Sequence, residues 1–77
     1  MRGKLTNPTV AMFYGWVLEQ GADIFQAGWA IRRDSPEAGT ENGGETRMWD
    51  TRQHAVKWIE AAAADEGFEP DEIRWDD

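Results

Sequence analysis

The stretch TRMWDTRQHAVKWIEAAAADEGF (Thr46–Phe68) changes the spacing of its apolar residues near Asp50. Before Asp50 the pattern alternates, which is typical of a β-strand, and after it the apolar residues recur at helical spacing. We therefore predict a strand over Thr46–Asp50 and a helix over about Thr51–Glu66. The apolar stripe of this helix, which needs a layer to pack on, consists of Ala55, Trp58, Ile59 and Ala62, widened by Val56 and Ala63.

Both ends of the predicted helix carry boundary signals. Asp50 or Thr51 can accept hydrogen bonds from the first helical N–H groups, and Asp50 with Gln53 has the spacing of a capping box. Gly67 fits the left-handed position after the last turn, and Phe68 can fold back onto the helix, as in a Schellman motif.

Two further strands are predicted upstream of this stretch. Val10–Glu19 (VAMFYGWVLE) has apolar residues on both faces, which is typical of a central strand. In Ile24–Arg33 the apolar and polar residues alternate more cleanly. The short connection Gln20–Asp23 contains a glycine, so we predict that the two strands form a β-hairpin. One face of the second strand holds Phe25, Ala27, Trp29 and Ile31.

The remaining segments complete the fold class. Asp34–Glu45 (DSPEAGTENGGE) is predicted to be a polar, mobile loop, although its Asn42–Gly43 pair could also be the turn of a longer hairpin. Glu72–Trp75 could return as a short edge strand. We therefore predict an α+β fold in which residues 1–77 form a single domain. One α-helix packs on a small antiparallel β-sheet of three or four strands, in the order β-β-β-α-(β).

Five tryptophans supply large apolar surfaces to a chain too short for an extensive core. The periodicity places Trp16, Trp29, Trp49 and Trp58 toward the interior, and we expect the last three to be mostly buried. Trp75 has acidic neighbours. It either pins the end of the chain to the sheet or serves as an anchor for a partner.

The net charge of −7 lies in the last eighteen residues, which hold eight acids and one base, Arg74. Phosphates require Lys and Arg, so we expect no direct contact with nucleic acid. Asp65 and Glu66 fall in the last helical turn, where the macrodipole disfavours anions by about 0.3–1 kcal/mol each. Charge reversal at this end should therefore leave the fold intact. Binding of a basic protein surface, solubility and adaptation to high salt are all compatible with this distribution.

The candidate partner-binding residues are carboxylates that follow the helix or lie in the predicted loop. The first group is Asp65, Glu66, Glu69, Asp71 and Glu72, extended by Asp76 and Asp77. The second group consists of the loop acids Glu37, Glu41 and Glu45.

Enzymatic catalysis is not expected from this composition. Ser35 and His54 are the only residues of their types and cysteine is absent, so neither a triad nor a two-histidine metal site can be assembled within one chain. We predict no catalytic residue, metal or cofactor. The absence of cysteine fits a reducing compartment, and we expect a cytoplasmic protein, in the host cell if a phage encodes it. The apolar run Val10–Leu18 is too short to span a membrane.

The short, acidic, cysteine-free layout, with the strand-then-helix unit Thr46–Phe68, resembles small proteins of phages and mobile elements, in particular the anti-CRISPR inhibitors of type I systems. The resemblance covers the layout of the whole chain and transfers no individual residue. It implies a non-enzymatic DNA mimic, which presents carboxylates to the basic channel of a Cascade-type surveillance complex and blocks binding of the target DNA.

An alternative function belongs to a different class. The chain could be a structural or regulatory interaction module, a monomer or a weak homodimer joined through an exposed sheet edge. In that case the acids serve solubility alone.

Overall fold

The computed structural model describes residues 10–35 and 39–76 and confirms the predicted α+β fold. In this part of the chain, one α-helix covers one face of a four-stranded sheet. The predicted edge strand is present, and the two strands of the hairpin are each two residues longer than predicted. The elements are β1 (Val10–Gly21), β2 (Ile24–Ser35), β3 (Gly39–Trp49), α1 (Arg52–Asp65), a short 3₁₀ helix (Pro70–Glu72) and β4 (Ile73–Asp76).

The sheet is mixed and not antiparallel throughout. Its strand order is β3-β2-β1-β4, with antiparallel pairing of β2 to both β1 and β3. Strand β4 runs parallel to β1, with Phe13 opposite Ile73 and Trp16 opposite Asp76. Helix α1 explains this direction, because it carries the chain back to the end of the sheet where β1 begins, and β4 starts from the same end.

The prediction of a mobile loop over Asp34–Glu45 is wrong for most of its length. Strand β2 continues to Ser35 and β3 already begins at Gly39. Residues 36–38 lie outside the described part of the chain. Polar side chains and glycines are accommodated in β3 because it is an edge strand, and its side chains are exposed along almost its whole length.

The proposed turn at Asn42–Gly43 is also wrong. Asn42 pairs with Arg32 and Gly43 with Ile31, so both residues lie inside the β2–β3 ladder. Within β3, the left-handed conformation is found instead at Gly39, its first residue, which has a φ of 79°. Backbone pairing with β2 has outweighed the local preference of an Asn-Gly pair for a turn.

Helix α1 buries a narrow stripe of small and branched side chains against the sheet. Ala55, Ile59 and Ala63 are fully buried, which confirms the predicted apolar face. The helix comes close to β1 at Gly15, where an added Cβ atom would lie only 2.9 Å from Ile59 Cγ2. The sheet contributes Phe13, Ala27, Ile31 and Ile73 to this core.

Both ends of the helix carry a cap that the sequence predicted. Thr51 is the N-cap, and its hydroxyl accepts a hydrogen bond from the His54 backbone N–H at 3.1 Å. The Schellman ending is confirmed, because Gly67 has a φ of 90° and the Phe68 N–H donates to the Ala63 carbonyl at 2.8 Å. The Phe68 ring then packs on Phe13 with 5.5 Å between the ring centroids.

At the N-terminal end, the capping box predicted for Asp50 and Gln53 is not formed. The Asp50 carboxylate instead contacts the His54 ring nitrogen at 2.9 Å. Asp50 therefore holds the His54 side chain in the first helical turn, and Thr51 caps the His54 backbone N–H.

The tryptophans divide between the two faces of the sheet. Trp29 stacks on Phe13 with ring centroids 5.3 Å apart, and Trp49 contacts Trp58 at 5.6 Å. All three pack against the core from partly buried positions, as expected. Trp16 does not point inward, because it alternates with Gly15 and therefore lies on the face opposite the helix.

Trp75 is on the helix side, where its ring would meet a Cβ atom at Gly15 at 3.1 Å. This contact pins β4 to the sheet, and 41% of the residue is still exposed.

Truncating Ile59 to Ala should lower the free energy of unfolding by about 2–5 kcal/mol, because the side chain is fully buried between α1 and the sheet. Urea denaturation followed by circular dichroism measures the change. Lys57→Ala, at an exposed position of the same helix, is the matched control and should change the stability by less than about 0.5 kcal/mol. Equal stabilities of the two variants would contradict the packing described here.

Candidate functional site

The candidate site lies where helix α1 ends and the chain turns toward β4. We define the acidic end as Asp65, Glu66, Glu69, Asp71 and Glu72. All of these residues are exposed except Glu66, which is partly buried. Phe68 lies in the middle of the segment and packs against the core, so that the carboxylates around it are carried on an anchored stretch of backbone.

Glu66 forms an ion pair that fixes the end of the helix to the sheet. Arg33 of β2 donates from Nη2 to Glu66 Oε1 at 2.9 Å and to the Glu66 main-chain oxygen at 3.2 Å. The second contact satisfies a carbonyl that has no partner within the helix. Glu66 therefore has a structural role, and we expect reversal of its charge to reduce the stability of the fold.

Glu72 is also occupied within the chain. Its Oε1 atom accepts a hydrogen bond of 2.7 Å from the Glu69 backbone N–H, which closes the turn before the 3₁₀ helix. The Asp65 and Asp71 carboxylates form no hydrogen bond or ion pair with another described residue. The Glu69 and Glu72 side chains both take part in the capping box of the 3₁₀ helix, so the two aspartates are the carboxylates left free to meet a partner.

The structure brings one of the predicted loop acids to this end. Glu41 of β3 lines an open cleft together with Arg33 and Glu66. Glu45 lies on the same face of β3, opposite Trp29 in the ladder and about 13 Å further along the strand at ~3.3 Å per residue. Glu37 lies outside the described residues.

Asp76, near the end of the chain, does not join the acidic end. Asp76 pairs with Trp16 and lies on the face opposite the helix. Asp77 is outside the described residues.

Two carboxylates outside the acidic end have lowered pKa values. The Thr40 hydroxyl donates to Asp34 at 2.6 Å and, with the nearby Arg32 guanidinium, lowers the pKa of that carboxyl. The hydrogen bond with His54 lowers the pKa of Asp50. Both groups are exposed and hold local turns together, which is a structural role.

No catalytic arrangement is found in the described residues. His54 sits at the start of α1, beside Asp50, whereas Ser35 lies at the opposite end of the sheet, about ten residues or ~33 Å along β2 from the helix start. Among residues 10–35 and 39–76, no three His, Cys, Asp or Glu side chains are grouped so that they could hold a metal ion. A helix long and apolar enough to cross a membrane is likewise not found there.

Comparison with known proteins adds no relative. Neither a family model, nor a curated protein, nor a solved structure matches this chain.

The two neighbouring acids at the helix end should respond oppositely to charge reversal. Glu66→Lys should destabilise the protein by up to about 1 kcal/mol, because it removes a partly exposed ion pair and places a lysine beside Arg33. Asp65→Lys should be neutral or stabilising by about 0.3–1 kcal/mol, since it replaces an unpaired anion near the negative end of the helix dipole with a cation. Urea denaturation at low salt compares them, and equal effects would contradict the assignment.

Proposed function

We propose that this protein is a non-enzymatic inhibitor whose acidic end binds a groove lined with Lys and Arg. The proposal rests on the exposure of the Asp65 and Asp71 carboxylates and on their lack of a described partner. Both are exposed, neither is paired with a described residue, and both lie on a backbone held by the Schellman turn, the 3₁₀ helix and the buried side of Phe68.

The physical argument rests on preorganisation. A carboxylate that has no partner within its own chain gains a full charge-assisted hydrogen bond when it meets a guanidinium or ammonium group. A segment that is already rigid loses little conformational entropy on binding. Asp65 also carries an unfavourable interaction with the helix dipole in the free protein, and a cationic partner would relieve it.

The class of partner follows from the charge density. Duplex DNA presents one charge per about 1.7 Å of helix axis, so a groove built to hold DNA attracts a dense group of carboxylates. The resemblance to type I anti-CRISPR proteins supports a specific case, in which the basic channel of a Cascade-type surveillance complex binds this protein and target DNA is excluded. Such a partner would be met in the cytoplasm of the host cell.

A competition assay tests the proposal. Labelled duplex DNA is bound to a type I surveillance complex, and increasing amounts of the protein are added. The parent should displace the DNA, and less effectively as salt rises. The variant Asp65→Lys/Asp71→Lys should be at least about 100-fold weaker, because hydrogen bonds to charged groups contribute about 1.5–3 kcal/mol each.

The matched control places the same charge change at the other end of the molecule. Each Asp→Lys change adds two units of charge, so the double variant has a net charge of −3 in place of −7. Glu19→Lys combined with Gln20→Lys and Gln53→Lys gives the same net charge at exposed positions near the start of α1. This control should displace DNA as well as the parent does.

Two results would contradict the proposal. No displacement by the parent would show that the acidic end does not compete with DNA on this complex. An equal loss in both variants would show that net charge alone matters, as expected if the acids serve only solubility.

A further inference from the structure

The face of the sheet opposite α1 is not covered by any described element, and a strip of apolar side chains follows β1 between polar residues of the neighbouring strands. We define the open face by Met12, Tyr14, Trp16, Leu18, Ala30 and Met48, which alternate with the residues that face the helix. No described element packs on this side. An exposed sheet face usually carries polar side chains along every strand, so the apolar strip on β1 needs an explanation.

The exposure of the open face is concentrated in large side chains. Leu18 is 48% exposed and Met48 is 54% exposed. The Trp16 indole lies across Gly28 of β2, in space that a Cβ atom at Gly28 would occupy. Because Gly28 has no side chain, the Trp16 ring can lie close to β2, and the face keeps a low profile at this point for packing against another sheet.

The charges on this side of the sheet cancel. Arg32 and Arg74 oppose Asp34 and Asp76, and Arg32 is bonded to Asp34 at 3.3 Å. The chain's net charge of −7 therefore lies away from the open face. An approach of two copies through the acidic ends brings like charges together, whereas an approach through the open faces joins two surfaces without net charge.

The dimensions of the open face suit a dimer. Strands β1, β2 and β3 have 12, 12 and 11 residues. At ~3.3 Å per residue and ~4.8 Å between strands, these three strands have a projected area of roughly 550 Å², and the four residues of β4 add about 60 Å². The side chains project from this plane and increase its accessible surface. The accessible area is therefore near the ~800 Å² that each partner buries in a standard interface.

We propose that two copies of this chain pack their open faces together and form a two-sheet dimer, with both helices outside. Sheets packed in this way lie about 10 Å apart, and the second copy supplies the layer that the single chain lacks. The acidic ends stay on the outer surfaces, because they lie on the helix side. The dimer does not depend on the proposed inhibition and is tested without a partner.

Sedimentation equilibrium measures the association. At about 100 μM the parent should have twice the 8.8 kDa mass of one chain, since interfaces of this size have dissociation constants of about 1 μM or below. Leu18→Glu places a charge on the apolar strip of the joined faces and should weaken association by about 30-fold or more. Ala61→Glu, at an exposed position of α1, is the control and should leave the dimer intact.

The fold of the Leu18→Glu variant is checked separately. Leu18 is already half exposed in the single chain, so circular dichroism of the dilute variant should match that of the dilute parent. A parent that stays at 8.8 kDa at 100 μM, or a Leu18→Glu variant that associates as tightly as the parent, overturns the proposal.

Thiol labelling identifies the surface that is joined. The chain contains no cysteine, so Thr46→Cys and Glu45→Cys each introduce a single reporter on opposite faces of β3. In the dimer, Thr46→Cys should be alkylated at least about tenfold more slowly than in the dilute monomer, and Glu45→Cys should not change. Equal labelling of the two positions, as expected for pairing through the β3 edge, contradicts the proposal. Protection of Thr46→Cys already in the dilute monomer also contradicts it, because the chain's own first nine residues would then cover the face.

Discussion

The contact of Ile59 with Gly15 determines how the elements of this protein are arranged. Because Gly15 has no side chain, α1 can approach β1 closely enough for Ile59 to be fully buried between Ala55 and Ala63. The same glycine receives the edge of β4, since a Cβ atom there would also lie 3.1 Å from Trp75 Cζ3 and 3.3 Å from Ile73 Cγ2. Gly15 of β1 thus contacts both α1 and β4.

The position of the acidic end follows from this contact. With the helix fixed over β1 and β2, its C-terminal end lies beside Arg33, which binds both the side chain and the main chain of Glu66. Phe68 then enters the core on Phe13, and Asp65 and Asp71 are left outside on either side of it. The packing that stabilises the fold therefore also orients the carboxylates that we propose to bind a basic groove. The opposite face of the sheet takes no part in this packing, which is why its apolar side chains are available to a second copy.

Much of the fold could be predicted from the sequence, because it depends on local patterns. The change of period at Asp50 predicted the helix, and Gly67 with Phe68 predicted its Schellman ending. The extension of β3 to Gly39 could not be predicted in this way, because Asn42 and Gly43 favour a turn locally and only the ladder with β2 holds them extended. The direction of β4 depends likewise on where the helix returns the chain.

The candidate site was predicted in outline only. The sequence indicated which segment carries the acids, but not that Arg33 neutralises Glu66, since the two residues are 33 positions apart. The alternation in β1 left both faces apolar, and nothing local showed which of them the helix would cover. The sequence pattern therefore places Trp16 in the interior, whereas the structure places it on the open face. The pattern that could have indicated this is the pairing of a large aromatic residue in β1 with Gly28 in β2.

A double-mutant cycle between Gly15→Ala and Ile59→Ala measures whether these two residues share the contact that positions the helix. The unfolding free energies of the parent, both single variants and the double variant are measured in urea. If close approach at Gly15 positions the helix, the added methyl group should be destabilising in the parent, and its cost should fall by about 1 kcal/mol once Ile59 has been shortened. Costs that add to within about 0.3–0.5 kcal/mol would contradict the account, because they would show that Gly15 and Ile59 do not share this contact.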